Sequence, residues 1–451
     1  MKVIADLQLH SRFSRAVSQE MNIPTISEWA MKKGIELVAT GDWTHPLWFR
    51  ELESQLREAG EGVYRVEGQP EGSPRFLLST EISSIYSQKG KLRKIHTLLF
   101  APSFSTVSKI NKELTLRGAN LLSDGRPIVG LTAKNVAEIA LEIDSRCLII
   151  PAHAWTPHFS LYGSVSGFDS IEECFGEVSP QIYAIETGLS SDPAMNWRIE
   201  ELKNRRIVSF SDAHSPAKLG REATVFQIKK TRIENQGGRP KINNINYNDI
   251  YDAIRGNPEG DWEIGCTIEF YPEEGKYHYT GHRNCQIVYS PNETRKMGTT
   301  CPICGRQLTV GVMSRVEELA STEIETESQK DEFGVRWIKD REGKRAPYVM
   351  MVPLLEILAE VLGTGNASQK VRNLYELLTS SLGSEFKVLL ETKSVDIERV
   401  GGPKVAEAIN KVRSGDIVIE PGYDGVFGKV KIWKSPTAYE SKDAIDQGTL
   451  F

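Results

Sequence analysis

Asp212 and His214 stand two residues apart just after the apolar pair Ile207-Val208, so an extended chain there turns a carboxylate and an imidazole to the same face. Together they suit a divalent cation. A single pair of this kind is more often a polar turn, but other strand-like runs end in the same way. The first delivers Asp6, Gln8 and His10 to one face, and later runs lead into His45, Glu81, His96 and His153. Six of the eight histidines precede residue 230, and five of those six sit at strand ends. A metal cluster of His10, His45, Glu81, His96, His153, Asp212 and His214 is therefore a better reading than scattered core histidines.

Such a cluster needs strands whose ends meet. Between the runs lie helical stretches, 25–33 closed by Gly34, and 133–142. The alternation predicts an α/β barrel or a parallel sheet, in which strand ends converge on one face. At 451 residues, with 39% apolar and 25% charged side chains, the chain is globular in composition and long enough for two or three domains. Its net charge of -5 excludes neither nucleic acid nor a small substrate, because local patches dominate steering. No apolar run reaches membrane-spanning length and the N-terminus lacks a signal-peptide core, so a cytoplasmic protein without membrane contact is expected. Nothing demands a dimer, and a monomer is expected.

A second metal chemistry lies further along. His282-x2-Cys285 and Cys301-x2-Cys304 are two knuckle-like pairs separated by a short loop, which fits a tetrahedral structural Zn2+ site; spacing leaves His278 and Cys266 open as alternative ligands. Between residues 275 and 315, Lys276, Arg283, Arg295, Lys296, Arg306 and Arg315 face one acid, Glu293, and interleave with Tyr277, Tyr279 and Tyr289. That mixture suits phosphate contact and base stacking.

The N-terminal motifs resemble the PHP (polymerase and histidinol phosphatase) family. Its opening His-x-His corresponds to Gln8-Leu9-His10, its middle acid to Glu81, its later histidines to His96 and His153, and its closing Asp-x-His to Asp212-Ala213-His214. Asp42 or His45 fills the second motif, with His45 favoured. Gln8 departs from the pattern, and a neutral amide is a poorer zinc ligand than imidazole. The stretches 153–164, 185–193 and 211–222 are similar to the endonuclease Q branch, which nicks DNA on the 5′ side of deaminated bases.

The resemblance implies an α/β fold: a distorted (β/α)7 PHP barrel holding divalent metals (Zn, Mn or Mg), then a small zinc-binding module and a C-terminal α+β domain. The expected divisions are 1–235 for the barrel, 236–262 for a connecting segment, 263–320 for the zinc module, 321–435 for a DNA-binding domain and 436–451 for a tail. It implies metal-dependent hydrolysis of a phosphodiester in double-stranded DNA carrying uracil or hypoxanthine, with Asp212, Glu81 and His153 catalytic and the damaged base flipped out of the duplex. Arg12, Arg15 and Arg221 would meet the phosphate, and Trp155, Phe159 and Tyr162 would line the base pocket. In the C-terminal part, Gly401-Gly402-Pro403 turns into a helix whose amides would seat a phosphate. The last residues, Gln447-Gly448-Thr449-Leu450-Phe451, resemble the bacterial sliding-clamp peptide, with Gln447, Leu450 and Phe451 as anchors. Two other classes compete: a small-molecule phosphoesterase of histidinol phosphatase type, and a non-catalytic DNA-binding protein whose barrel has lost function through Gln8.

Overall fold

The strand Lys2–Asp6 runs through the middle of a 13-stranded mixed sheet, parallel to Leu37–Ala39 on one side and antiparallel to Ala223–Ile228 on the other. The structure is a computed structural model and describes residues 2–70, 72–229 and 245–434. Leu37–Ala39 pairs in parallel with Arg75–Gln88, which folds back antiparallel on Lys91–Ala101, and that strand pairs antiparallel with Leu148–Pro151. Ala184–Glu186 and Arg206–Val208 form a separate parallel pair. The expected distorted α/β barrel is present, but its pairing is mixed rather than all parallel. The reversal at Arg75–Ala101 comes from Lys89-Gly90, both at positive φ, the two-residue turn that suits a twisted hairpin.

Local signals set the helices. Ile23–Lys33 starts with the Asn22 side chain accepting from Thr25 N and ends at Gly34 in the left-handed region; Ala133–Ile143 is capped by Thr132. Alternation divides the buried residues into two cores. Val3, Ala5, Leu98, Phe100, Ile150 and Val208 share one of them. A larger core lies between sheet and helices and runs on beneath the C-terminal helices.

The ring closes through the first strand's end. Asp6 accepts from Ser211 N (3.0 Å) and Gly220 N (2.8 Å), and His10 N donates to Ala213 O (3.0 Å), so the loop carrying Asp212 is tied to the loop carrying His10.

The sheet extends past the expected barrel. Trp262–Glu269 pairs with Ala223–Ile228, and Thr326–Lys330, Arg336–Asp340 and Tyr348–Met350 continue outward from it. Position 263, where a zinc module was expected to begin, thus falls inside a strand of the central sheet, and position 321, where a C-terminal domain was expected to begin, lies in a loop that bonds to Arg198 ahead of the strand Thr326–Lys330. Cys266 faces Val225 in that sheet and is buried there, away from the knuckle. The knuckle hairpin Thr280–His282 and Ile287–Tyr289 is followed by the helices Pro291–Met297 and Val312–Leu319. Five helices follow from Leu354 to Ser414, and Lys33 of the first helix forms a buried 2.7 Å ion pair with Glu385 among them. Ser394–Gly401 and Pro403–Ser414 meet at the expected glycine turn, with Gly402 at φ 88°. Among the described residues no helix is long and apolar enough to cross a membrane. Gln447, Leu450 and Phe451 lie outside the described residues.

Candidate metal centre at the barrel mouth

Three of the strand-end residues adopt a backbone that side chains rarely take: Asp42 (φ 48°), His153 (φ 31°) and Asp212 (φ 46°). Each costs about 1–3 kcal/mol, and their gathering at one mouth marks a site held by its surroundings. Beside them, Gly188 (φ 57°) approaches so closely that a Cβ there would lie 2.3 Å from His153 Cβ.

Two triads of metal-competent side chains result, His10 with Asp212 and His214, and Glu81 with His96 and His153; within each, the ligand atoms lie within 4.8 Å of one another. Glu81 connects them. Its Oε1 is 2.5 Å from His96 Nδ1 and 3.9 Å from His153 Nε2, while its Oε2 accepts from Gln8 Nε2 (2.5 Å) and lies 3.5 Å from His10 Nε2. His10 Nε2 is 3.2 Å from Asp212 Oδ1, and its Nδ1 is 3.0 Å from Asp42 Oδ1. His214 Nδ1 donates to the Asp212 carbonyl (2.8 Å), which leaves its Nε2 free.

Charge follows from this crowding. Burial raises the Glu81 carboxyl, but His96, Arg126, His10 and His153 outweigh it and hold the group well below its usual range. Asp212 is likewise raised by burial and drawn down to about 2 by His10. Burial lowers His96 to about 4 against the pull of Glu81, so its ring is neutral, the form a cation needs. Burial also lowers His10, yet Asp42, Asp212 and Glu81 reverse the effect and push it well above its usual value. Gln8 Oε1 is buried without a hydrogen-bond partner, and His10 Nε2 and Asp212 Oδ1, though 3.2 Å apart, make no aligned hydrogen bond. Orphaned oxygen and nitrogen atoms beside two carboxylates are what a bound divalent cation would satisfy.

Not every expected residue joins in. His45 is outside both triads: it is stacked on Phe13 with centroids 4.5 Å apart and its Nδ1 unpartnered. Asp42, the alternative for that motif, instead fixes His10 and accepts from Ser11 N (2.6 Å), Ser11 Oγ and Ser14 Oγ. Arg12 is paired with Glu51 (2.7 Å) and Arg15 with Asp124 (3.4 Å), while Arg221 Nε donates to Ser211 O beneath Asp212. Trp155 and Tyr162 are fully buried, donating to Asn196 and Glu201, so they build the core under the mouth rather than a pocket wall. Phe159 alone of the three aromatics borders the open space, tilted over His96 at 4.7 Å. Arg315, counted above with the basic residues, is a buried tie from the knuckle's second helix to Asp169 and the Tyr162 carbonyl.

Sequence reading missed Arg126, whose Nη1 lies 3.4 Å from Glu81 Oε1. It sits in an irregular segment with no strand to point at it. Also missed was Glu186, which accepts from His153 N (2.6 Å) and whose carboxyl burial pushes well above the usual range. A cavity of about 340 Å3 opens beside the triads, lined by His96, His153, Phe159 and Asp212 and by Tyr277 and His278 ahead of the knuckle. The knuckle itself brings His282, Cys285, Cys301 and Cys304 together, with His282 Nδ1 3.5 Å from Cys304 Sγ. His278 is no member of that group.

A distorted α/β barrel that gathers histidines and carboxylates from its strands and the loops after them at one mouth is the PHP phosphoesterase class. Within it, the chain is similar over 99% of its length, and over all of the other, to the lesion-specific endonuclease PfuEndoQ from Pyrococcus furiosus, at 33% identity and a TM-score of 0.78. A second solved structure, endonuclease Q with a 27-mer duplex carrying an abasic lesion at its active site, matches at 33% identity and a TM-score of 0.77, covering 98% of this chain and 100% of that one. The chain belongs to the endonuclease Q family, a group of metal-dependent DNA endonucleases. Uncharacterized protein YqxK of Bacillus subtilis is 29% identical across 95% of this chain and 99% of its own. Uncharacterized protein MJ0043 of Methanocaldococcus jannaschii is 33% identical over 300 residues, 65% of this chain and 34% of that protein, so the match spans about a third of its length. Residues 353–416 match the MJ0043 C-terminal domain model, which covers the helical region around the Gly402 turn.

Proposed function

We propose that the chain nicks duplex DNA on the 5′ side of deaminated bases, with the damaged nucleotide flipped into the cavity beside the two triads. The observation that supports this best is the joining of the triads through Glu81 at the edge of a recess that the knuckle region helps to enclose. His10, Asp212 and His214, and Glu81, His96 and His153, would each hold a divalent cation (Zn, Mn or Mg). Bound there, such ions lower the pKa of water and neutralise phosphate charge. The chain's own part is positional. Asp42 fixes the His10 ring through Nδ1, Glu186 fixes the His153 backbone, and Glu81 and Asp212 stay ionised. Arg126 is better placed than the paired Arg12 and Arg15 to meet the scissile phosphate, and Arg221 holds the Asp212 loop. Water attacks phosphorus in line and one P–O bond breaks. Phe159 offers the flipped base an aromatic face.

His282, Cys285, Cys301 and Cys304 would hold a structural zinc, and the surrounding Lys276, Arg283, Lys296 and Arg306 would track the DNA backbone. The C-terminal Gln447, Leu450 and Phe451 would anchor a sliding clamp; deleting 447–451 should abolish clamp binding and leave nicking of short DNA intact. The test of the main reading is a nicking assay with wild type and Asp212→Ala on duplexes carrying uracil, hypoxanthine, an abasic site or no lesion. Equal cleavage by both proteins overturns the site, and lesion-independent cleavage overturns the repair reading.

A further inference from the structure

We propose that His278 determines specificity by accepting a hydrogen bond from the ring N–H that deamination creates on the flipped base. The inference rests on the cavity being the base pocket, as proposed above. His278 lines that cavity together with His153 and Asp212, is 5% exposed, and its Nδ1 has no hydrogen-bond partner. Its ring is stacked on Tyr279 with centroids 5.3 Å apart, and its backbone N donates to Gly275 O, so ring and main chain each have one contact that positions them. No ion pair to a carboxylate is found at this ring among the described residues, and burial draws it down to about 4 while the Pro272 carbonyl opposes that shift. A neutral imidazole with one N–H turned to Pro272 keeps one bare nitrogen, which can only accept.

A lone acceptor distinguishes the right pair of states. Cytosine N3 and adenine N1 are acceptors, whereas uracil N3 and hypoxanthine N1 carry a hydrogen. Deamination therefore replaces a lone pair facing a lone pair with a donor facing an acceptor, at the same ring position in both lesions. A buried acceptor left without a donor costs free energy, so the normal bases are rejected more strongly than the lesions are attracted. An abasic site presents no base edge and is read without His278.

The experiment compares kcat/KM of wild type, His278→Phe and His278→Gln on uracil, hypoxanthine, N3-methyluracil and abasic duplexes. His278→Phe keeps a ring on Tyr279 but has no acceptor, and should lower the uracil-to-abasic and hypoxanthine-to-abasic ratios by about 10-fold to about 100-fold. His278→Gln, which restores a carbonyl acceptor, should recover most of the loss. Wild type should discriminate against N3-methyluracil, and His278→Phe should lose that discrimination. A uniform fall on all four duplexes, or unchanged ratios, overturns the inference while leaving the endonuclease reading standing. If wild type cuts none of them, both fail together.

Discussion

The barrel mouth and the knuckle are both metal-competent, yet they are made in opposite ways. The mouth draws six side chains from His10 to His214, Glu81 and His96 from within long strands and the others from loops that follow strands, and buries most of them against a sheet with its own apolar core. The knuckle draws four ligands from a 23-residue span, His282 to Cys304. Its strand Ile287–Tyr289 and helix Pro291–Met297 contain no fully buried residue. The first region is positioned by folding, the second has little to fold around except an ion. A metal bound in the knuckle would therefore contribute folding free energy, whereas a metal bound in the mouth would supply chemistry.

The largest expected effect separates these two roles at Glu81, a member of one triad that also approaches His10 of the other. Glu81→Gln should lower nicking of a uracil duplex at least about 100-fold, since even outer-shell partners of metal ligands are worth 10- to 100-fold. Thermal unfolding of the barrel should come earlier, because Arg126 and His10 lose the ionised partner that they hold below its usual range, but by too little to account for the loss of nicking. A matching fall in stability and activity would make Glu81 a structural residue. Next in size is Cys301→Ser. Hydrogen exchange should show loss of protection across residues 280–311, while Ala184–Glu186 and Arg206–Val208 stay protected. Zinc content should drop by about one ion per chain, the complement of a tetrahedral site. Retained protection in the knuckle would mean that its core, not a metal, holds it.

The same contrast explains what could be read from the chain alone. His282, Cys285, Cys301 and Cys304 were legible because a local site writes its ligands at fixed spacing. Six members of the mouth were legible because each lies in or just beyond an apolar run; the structure sets Glu81 and His96 within long strands, where periodicity carries the side chain to a predictable face, and the others in loops that follow strands. The rest lacked such a signal. Arg126 lies on an irregular segment, and nothing local aims it at Glu81. His45 and Asp42 are neighbours beyond one strand, and only the turn, with Asp42 at positive φ, decides which of them reaches His10. Trp155 and Tyr162 looked like pocket aromatics because burial is not written in residue type. The mixed sheet was hidden in Lys89-Gly90, two residues that set strand direction by turn geometry.

Gln8 probes the mouth without touching the knuckle. Its amide donates to Glu81 and leaves Oε1 buried and unpartnered, where the family motif has an imidazole. Gln8→His should raise the metal content of the purified protein by about one ion, because imidazole is the better ligand for zinc-like cations. Nicking should change by less than about 10-fold in either direction, since the six other ligands already supply the charge and the geometry. Rescue of an inert wild type by this change would instead show a barrel that had lost its activity.

The smallest effect is one of pH, and it should move the two regions in opposite directions. Beneath the mouth, burial raises Asp6 to about 6, Glu269 to about 8, and Glu222 and Glu186 well above the usual carboxyl range. An acid whose folded pKa exceeds its unfolded value contributes stability that is complete below the unfolded value and disappears as pH rises through the folded one. The four carboxyls should therefore make the barrel more stable at pH 5 than at pH 8.5; Asp212, at about 2, lies outside that window, while His96, drawn down to about 4 from 6.5, opposes the trend as its unfolded ring gains a proton, one group against four. In the knuckle the shift has the other sign. Desolvation pushes the Cys301 thiol up, but the amides of Cys304 and Ile303 and the His282 ring outweigh it and hold it at about 6, so its contribution is lost as pH falls through that value. Acid also protonates the thiolates that a zinc ion needs. Hydrogen exchange at pH 5 and pH 8.5, corrected for intrinsic rates, should show the barrel strands better protected in acid and residues 280–311 less so. Glu269→Gln, neutral at every pH, should flatten the barrel's response and leave the knuckle's unchanged; parallel movement of the two regions would mean that they unfold as one unit and that the division drawn between them is wrong.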